Sequence, residues 1–187
     1  MRHGTCVSAI VLALGIATES ARCAEPDPTK CIVPDFIDLV GMHDGVADPF
    51  GLFTVTVRDA NGLKIPGAPV SVDFSGCPEF FPSAVQPYPG LSMSCATRTV
   101  SAIADGNGVA SFVIVGSVLH RSTATTTACA EVRAGESNVV LKQVKVASYD
   151  LDGVNGVDSH DVSLWCENFL RDLVTVPSSD RSGAGVP

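Results

Sequence analysis

The chain has 187 residues and a formal net charge of −8, with 12 lysines and arginines against 20 aspartates and glutamates. The few basic residues are scattered singly, so the sequence offers no positive patch for nucleic acid, and a nucleic-acid-binding role is set aside. Aromatic residues make up only 6% of the chain, while Val, Thr, Ala, Ser and Gly are abundant, a composition that favours strands and turns over helices.

The first 24 residues have the features of a secretion signal. Arg2 and His3 give a cationic start, and the apolar run 7–17 has the length of a signal h-region but is too short to cross a bilayer. The cleavage point stays open among Ala17, Ala21, Cys23 and Ala24. No later segment is long and apolar enough to span a membrane, so we predict a secreted or cell-surface protein without a membrane span in the mature chain.

The segment 25–49 is predicted to hold a proline-broken linker and a leading strand. Residues 25–30 contain two prolines, and 31–41 has the composition of a strand that Pro34 interrupts. Because proline cannot donate a hydrogen bond to a neighbouring strand, this should be an edge strand or one that switches sheets. Residues 43–49 then form a turn.

Alternating apolar and polar residues predict the strands of the main domain. In 51–75 two such runs flank the turn dipeptides Asn61-Gly62 and Pro66-Gly67. Their alternating apolar residues are Phe53, Val55, Val57, Val70, Val72 and Phe74. Further strand pairs are predicted in 97–116 and 122–148. About seven short strands, with no helix before residue 158, predict a mainly β fold, an antiparallel β-sandwich over 50–147.

The same segment resembles the bacterial Ig-like domains of the invasin and intimin group. The pattern is carried by Val57, Asp59, Gly62, Pro66, Gly67, Val70, Phe74, Asp105, Gly108 and Ala110. The resemblance covers residues 50–146 and implies an Ig-like sandwich, a fold that commonly serves as a spacer or presenting stalk.

Four cysteines are candidates for disulfides in an exported protein. Cys77 and Cys95 flank the long proline-rich loop 76–95, whose ends should lie close together, and we predict that they pair. The second candidate pairing is Cys31 with Cys129. Sequence alone does not fix disulfide connectivity.

An acidic segment follows the last strand and has the spacing of a calcium loop. Calcium takes six to eight oxygen ligands, which EF-type loops supply from positions 1, 3, 5, 7, 9 and 12. Counted from Asp150, the ligand positions that match, with the carbonyl of position 7, are Asp150, Asp152, Gly156, Asp158 and Asp161. Position 5 is Val154, which has no side-chain oxygen, and position 6 is Asn155, an additional candidate ligand.

A helix should begin at Asp158, which stands at the N-cap, and extend to residue 173. Its predicted apolar face is Val162, Trp165, Cys166, Phe169 and Leu173. The combined loop and helix over 148–173 resembles a type I dockerin repeat, and 180–187 resembles the start of a truncated second repeat within the tail 174–187. The resemblance implies Ca²⁺ as cofactor and a cohesin-like or cell-surface protein as partner.

The alternative is a purely structural role, in which the acidic segment only caps the helix of an adhesin-like or structural Ig-like spacer that binds no metal. No histidine pair, nucleophile motif or phosphate-binding glycine loop indicates an enzyme, and none is predicted. His43 and His160 are expected at the surface. Phe80, Phe81 and Tyr88, in the loop 78–91, are candidates for an exposed patch that binds carbohydrate.

Overall fold

The computed structural model describes residues 24–118, 127–148, 150–151 and 157–175, and gives only the backbone for 168–175. These residues form eleven strands, one 3₁₀ turn at Pro49–Gly51 and one helix, α1, Ser159–Thr175. The strands are β1 Phe36–Val40, β2 Met42–His43, β3 Val46–Ala47, β4 Leu52–Thr56, β5 Pro69–Asp73, β6 Phe80–Pro82, β7 Ser92–Ser94, β8 Thr99–Ile103, β9 Val109–Val118, β10 Ala130–Ala134 and β11 Val139–Ser148. The mainly β prediction is confirmed, and all seven predicted strands are present.

Nine of the strands form one sheet in the order β4-β9-β1-β11-β10-β5-β8-β7, with β6 paired to β9. Strand β1 runs parallel to both of its neighbours, β9 and β11, whereas the other pairs are antiparallel. The sheet is therefore mixed, and the purely antiparallel arrangement that we predicted is wrong in this respect.

Strand β1 is reached by a change of partner at Pro34. Before this proline, Ile32 forms a bridge with Thr56, the last residue of β4. After it, Phe36 aligns with Lys145 of β11. Strand β1 lies inside the sheet, so the edge-strand prediction is wrong, and the change of partner at Pro34 takes place within one sheet and not between two.

The predicted alternation places the core correctly. Val55, Val70, Val72 and Phe74 are buried in a single hydrophobic cluster. Phe53 packs on its edge and stacks on Phe112 at 5.1 Å between ring centroids. The cluster takes residues from both ends of the strand order, so the sheet curls around one core.

Two of the three predicted strand pairs are not hairpins. Strand β4 pairs with β9 and β5 pairs with β8 and β10, so the turns at Asn61-Gly62 and Pro66-Gly67 lie in a crossing connection. Strands β8 and β9 likewise pair with other neighbours on either side of the 105–108 turn. Only β10 and β11 pair as predicted.

The disulfide joins Cys77 to Cys129, and both predicted pairings are wrong. The strand register explains it: Asp73 of β5 aligns with Glu131 of β10, so Cys77, just after β5, meets Cys129, just before β10. A Cβ built on Gly76 would lie 2.4 Å from the Cys129 carbonyl oxygen, so this close approach requires glycine. Cys95 is exposed beyond β7, with β8 between it and β5.

Cys31, the other predicted partner, is a free, half-buried thiol. Its Sγ accepts a hydrogen bond from the Arg58 amide at 3.2 Å, and burial raises the pKa of the thiol. Among the residues that the structure describes, no helix is long and apolar enough to cross a membrane.

Candidate metal site at the end of the last strand

The candidate loop begins where β11, a ten-residue strand inside the sheet, ends. Ser148, the last residue of β11, is buried, and its hydroxyl donates to the backbone carbonyl of Asp150 at 2.9 Å. Leu151 follows and belongs to the hydrophobic core cluster. The chain is thus fixed to the β domain at the point where the first predicted ligand stands.

Asp161 closes the segment from its other end. Its side chain lies in the first turn of α1, and the residue is only 2% exposed. One carboxylate oxygen accepts from the Leu151 amide at 2.6 Å and the other from the Asp158 amide at 2.9 Å. A single carboxylate therefore ties together positions 2, 9 and 12 of the twelve-residue segment.

Asp158 caps the helix as predicted. Its carboxylate accepts from the His160 amide at 2.6 Å, and its carbonyl accepts the first helical bond, from Val162 at 3.3 Å. Both Asp158 and His160 are exposed, as the surface prediction for His160 requires. Helix α1 begins at Ser159, one residue after the predicted start.

The structure links the two ends of the predicted loop through backbone amides and not through a cluster of ligand side chains. Asp150 and Asp161 are buried at the two ends of the segment, and Asp158 lies beside Asp161 through its amide. The remaining predicted ligands, Asp152, Asn155 and Gly156, lie outside the described residues. Within the described ranges, no group of three or more His, Cys, Asp or Glu side chains is assembled to hold a metal ion.

The donor types present nevertheless suit a hard cation. Carboxylates are oxygen ligands, which calcium prefers to nitrogen or sulfur. Each oxygen of Asp161 has two lone pairs, so an amide hydrogen bond to each leaves acceptor capacity on both. The amide contacts therefore do not exhaust the ligand capacity of Asp161.

Helix α1 packs on the protein through residues outside the predicted apolar face. Asp161 is buried and Leu164 packs against the core cluster, whereas Val162 is 56% and Trp165 48% exposed and Cys166 is exposed. The described members of the predicted apolar face are therefore exposed, while Asp161 is held inside by its two hydrogen bonds. The side chains of Phe169 and Leu173 lie outside the described residues.

The aromatic patch predicted in 78–91 is not formed as an exposed surface. Phe80 is fully buried in the core and Tyr88 is half-buried. Phe81 is partly exposed, but the Arg98 guanidinium lies 4.6 Å from the centre of its ring. Short strands β6 and β7 occupy a segment that we predicted to be a loop, because β6 extends the sheet alongside β9.

Two features had no signal in the sequence pattern. Arg98 takes a positive φ of 54° and donates to the carbonyls of Cys77 and Phe80, so it clamps the chain around the disulfide. Asp38 lies on β1 with one carboxylate oxygen buried, and burial raises the pKa of this carboxyl.

A cleft of about 480 Å³ is lined by residues of β5, β8 and β10. Its walls include Ser71, Asp73, Thr99, Ser101 and Arg133. The guanidinium of Arg133 is already paired with the Glu131 carboxylate. These residues are the polar outward positions that alternate with the core positions of β5, β8 and β10.

The chain matches no family model, and no curated protein or solved structure is significantly similar to it.

Proposed function

We propose that this chain is a secreted or surface-displayed, non-catalytic β protein whose C-terminal loop and helix bind Ca²⁺. One observation carries the proposal: Asp150 and Asp161, the first and last positions of the predicted loop, are 0% and 2% exposed and lie at its two joined ends.

The buried aspartates carry negative charge that needs compensation. Removing carboxylates from water is costly unless opposite charge or hydrogen bonds compensate. Asp161 receives two amide hydrogen bonds, which supply partial positive charge but no formal charge. A divalent cation at this end of the domain offsets the charge of both aspartates and of the neighbouring Asp158.

The sequence spacing supplies the ligands that would hold the ion: Asp150, Asp152, Asp158, Asp161 and the Gly156 carbonyl, with Asn155 as a further candidate. The bound ion supplies charge neutralisation and fixes the loop; no bond is made or broken. Because position 5 has no side-chain oxygen, we expect weaker binding than a complete loop gives.

The Ig-like sandwich is the finer fold that we propose for the β domain. The strands form two antiparallel groups, one with β4 and β9 and the other with β5, β10 and β11, and β1 joins the groups through parallel pairs. This division supports the proposal, because Ig-like domains divide their strands between two packed sheets. The exposed Val162 and Trp165 support a partner on the outer face of α1. Following the dockerin resemblance, we propose a cohesin-like or other cell-surface protein.

A second candidate is a spacer in which the acidic segment only caps the helix. It is favoured by the amide hydrogen bonds that occupy both oxygens of Asp161. Asp105 forms similar hydrogen bonds in the 105–108 turn, without any helix: one of its carboxylate oxygens accepts from the Asn107 and Val109 amides at 2.7 and 3.0 Å. The two candidates differ in whether the tail responds to metal.

Terbium luminescence excited through Trp165, with calcium as competitor, tests the proposal. We expect emission that calcium displaces, and a loss of affinity of about tenfold or more in Asp150→Asn, which removes one ligand charge. The bond from Ser148 goes to the backbone carbonyl of Asp150, so this substitution retains it.

Asp105→Asn is the matched control, because it changes the same residue type in a turn outside the site, and it should leave terbium binding unchanged. Equal affinity in wild type and Asp150→Asn would contradict the ligand assignment. Absence of any calcium-displaced emission from a folded chain would favour the spacer.

A further inference from the structure

The outward face of β1 carries a carboxylate that lacks a partner. Ile37 and Leu39 are buried in the core cluster, and Asp38 between them points to the other side of the strand. One carboxylate oxygen of Asp38 is buried, and in the described part of the chain the side chain has neither a hydrogen-bond donor nor an ion-pair partner. The residue as a whole is only partly buried, so its carboxylate can be reached from the surface.

Exposed apolar side chains lie around this carboxylate. Phe36, two residues before Asp38 on the same face of β1, is 57% exposed. Gly51 lies directly against β1, since a Cβ built on it would be 3.4 Å from the Asp38 carbonyl oxygen. Its chain neighbours Phe50 and Leu52 are 88% and 53% exposed. We call Phe36, Asp38, Phe50 and Leu52 the Asp38 patch.

The chemistry of the Asp38 patch suits a protein partner. The two described clefts have none of the four patch residues in their walls, whereas small ligands require a concave site. The net charge of −8 and the Asp38 carboxylate both oppose nucleic acid and anionic lipid. Exposed aromatic side chains that surround a single charged group are typical of the central part of protein–protein interfaces.

From this arrangement we propose that the Asp38 patch docks a protein segment in which a lysine or arginine lies between apolar side chains. The basic side chain pairs with Asp38, and the apolar side chains cover Phe36 and Phe50. The sign of the partner's charge follows from Asp38: a cation compensates the carboxylate, whereas a neutral or acidic segment would remove it further from water without compensation. The proposal does not depend on calcium binding.

A random peptide library displayed on phage, selected against the immobilised mature chain, tests the proposal. An enriched peptide and its version with the basic residue replaced by glutamine are then synthesised, and fluorescence anisotropy gives their Kd. The protein variants are Asp38→Asn and Phe50→Ala, with Glu136→Gln as the matched control. Glu136 is exposed in the turn between β10 and β11, so this control removes the same charge from another part of the surface.

We expect the enriched peptides to share a basic residue with apolar neighbours. Asp38→Asn should raise the Kd of such a peptide about tenfold or more, and the glutamine peptide should bind equally weakly to wild type and to Asp38→Asn, because the two changes remove the same ion pair. Phe50→Ala should raise the Kd about fivefold or more, and Glu136→Gln less than twofold. Since Phe50 is almost fully exposed, its truncation should leave the fold intact.

Three results would overturn the proposal. They are a selection that enriches no peptide, enriched peptides without a basic residue, and equal affinity of the basic peptide for wild type and Asp38→Asn. Circular dichroism of each variant confirms that a loss of binding is not a loss of fold.

Discussion

Removing the Cys77–Cys129 disulfide should cost the protein a large part of its stability. The bond spans 52 positions of sequence, and closing a loop of that length lowers the entropy of the unfolded chain by the equivalent of about 4 kcal/mol at 25 °C. Typical domains are stable by only about 5–15 kcal/mol, so the double variant Cys77→Ala/Cys129→Ala should be close to its limit. Cys77 is fully buried, and alanine at that position also leaves a small void.

Urea denaturation is the assay. With a slope of about 2 kcal/mol per molar urea, a loss of 4 kcal/mol lowers the midpoint by about 2 M. Cys95→Ser is the matched control, since Cys95 is a free, exposed thiol and its substitution should change stability by less than about 0.5 kcal/mol.

Stability alone does not identify the pairing. A Cys77–Cys95 bond would close a shorter loop worth about 3 kcal/mol, too close to 4 to distinguish by denaturation. Non-reducing peptide mapping decides between them, and we expect Cys77 linked to Cys129. A Cys77–Cys95 peptide, or a loss below about 1 kcal/mol in the double variant, would refute the reasoning from strand register.

Two further predictions concern stability. Asp38→Asn should make the protein more stable at pH 7 by about 0.5–1 kcal/mol after allowance for solvent screening, because the raised folded-state pKa means that ionised Asp38 penalises the native state above the unfolded-state pKa. That gain should vanish in urea melts near pH 3, where the carboxyl is protonated in both states; a gain that persists there would contradict the electrostatic cause. Gly116→Ala should cost about 1–3 kcal/mol, since a Cβ there would lie 2.7 Å from the Phe81 carbonyl oxygen, and Gly106→Ala, with nothing within 4 Å, should cost far less in the same melts.

The period-two pattern predicted the strands and their buried faces because both are local properties. Val70, Val72 and Phe74 alternate in sequence and lie together in the core. The partner of each strand is not local: β5 finds β10 about sixty residues further along. Two strands joined by a turn-rich connection have the same pattern whether they form a hairpin or cross to different neighbours.

The predicted disulfides failed for the same reason. Loop-end proximity favoured Cys77 with Cys95, but the ends of 76–95 are separated by a whole strand, β8, which inserts beside β5. Only the register that aligns Asp73 with Glu131 brings Cys77 to Cys129. Connectivity is a consequence of the sheet order, and the spacing of cysteines does not contain it.

The acidic segment combines the spacing of a calcium loop with hydrogen bonds that also occur in ordinary turns. Asp59 accepts from the Asn61 and Leu63 amides, and Asp105 from two amides in its own turn, where these bonds hold the pKa of Asp105 below its usual range. Asp161 binds two amides as well, so the local motif of a cap and that of a calcium ligand coincide. What separates Asp161 is tertiary: it is buried, and one of its two amides comes from Leu151, ten residues earlier and beside the core. Asp161 therefore does not lie in an exposed turn. It is a second buried aspartate next to the end of β11, where Asp150 is also buried. The case for calcium therefore depends on burial and chain closure, which the spacing of aspartates does not encode.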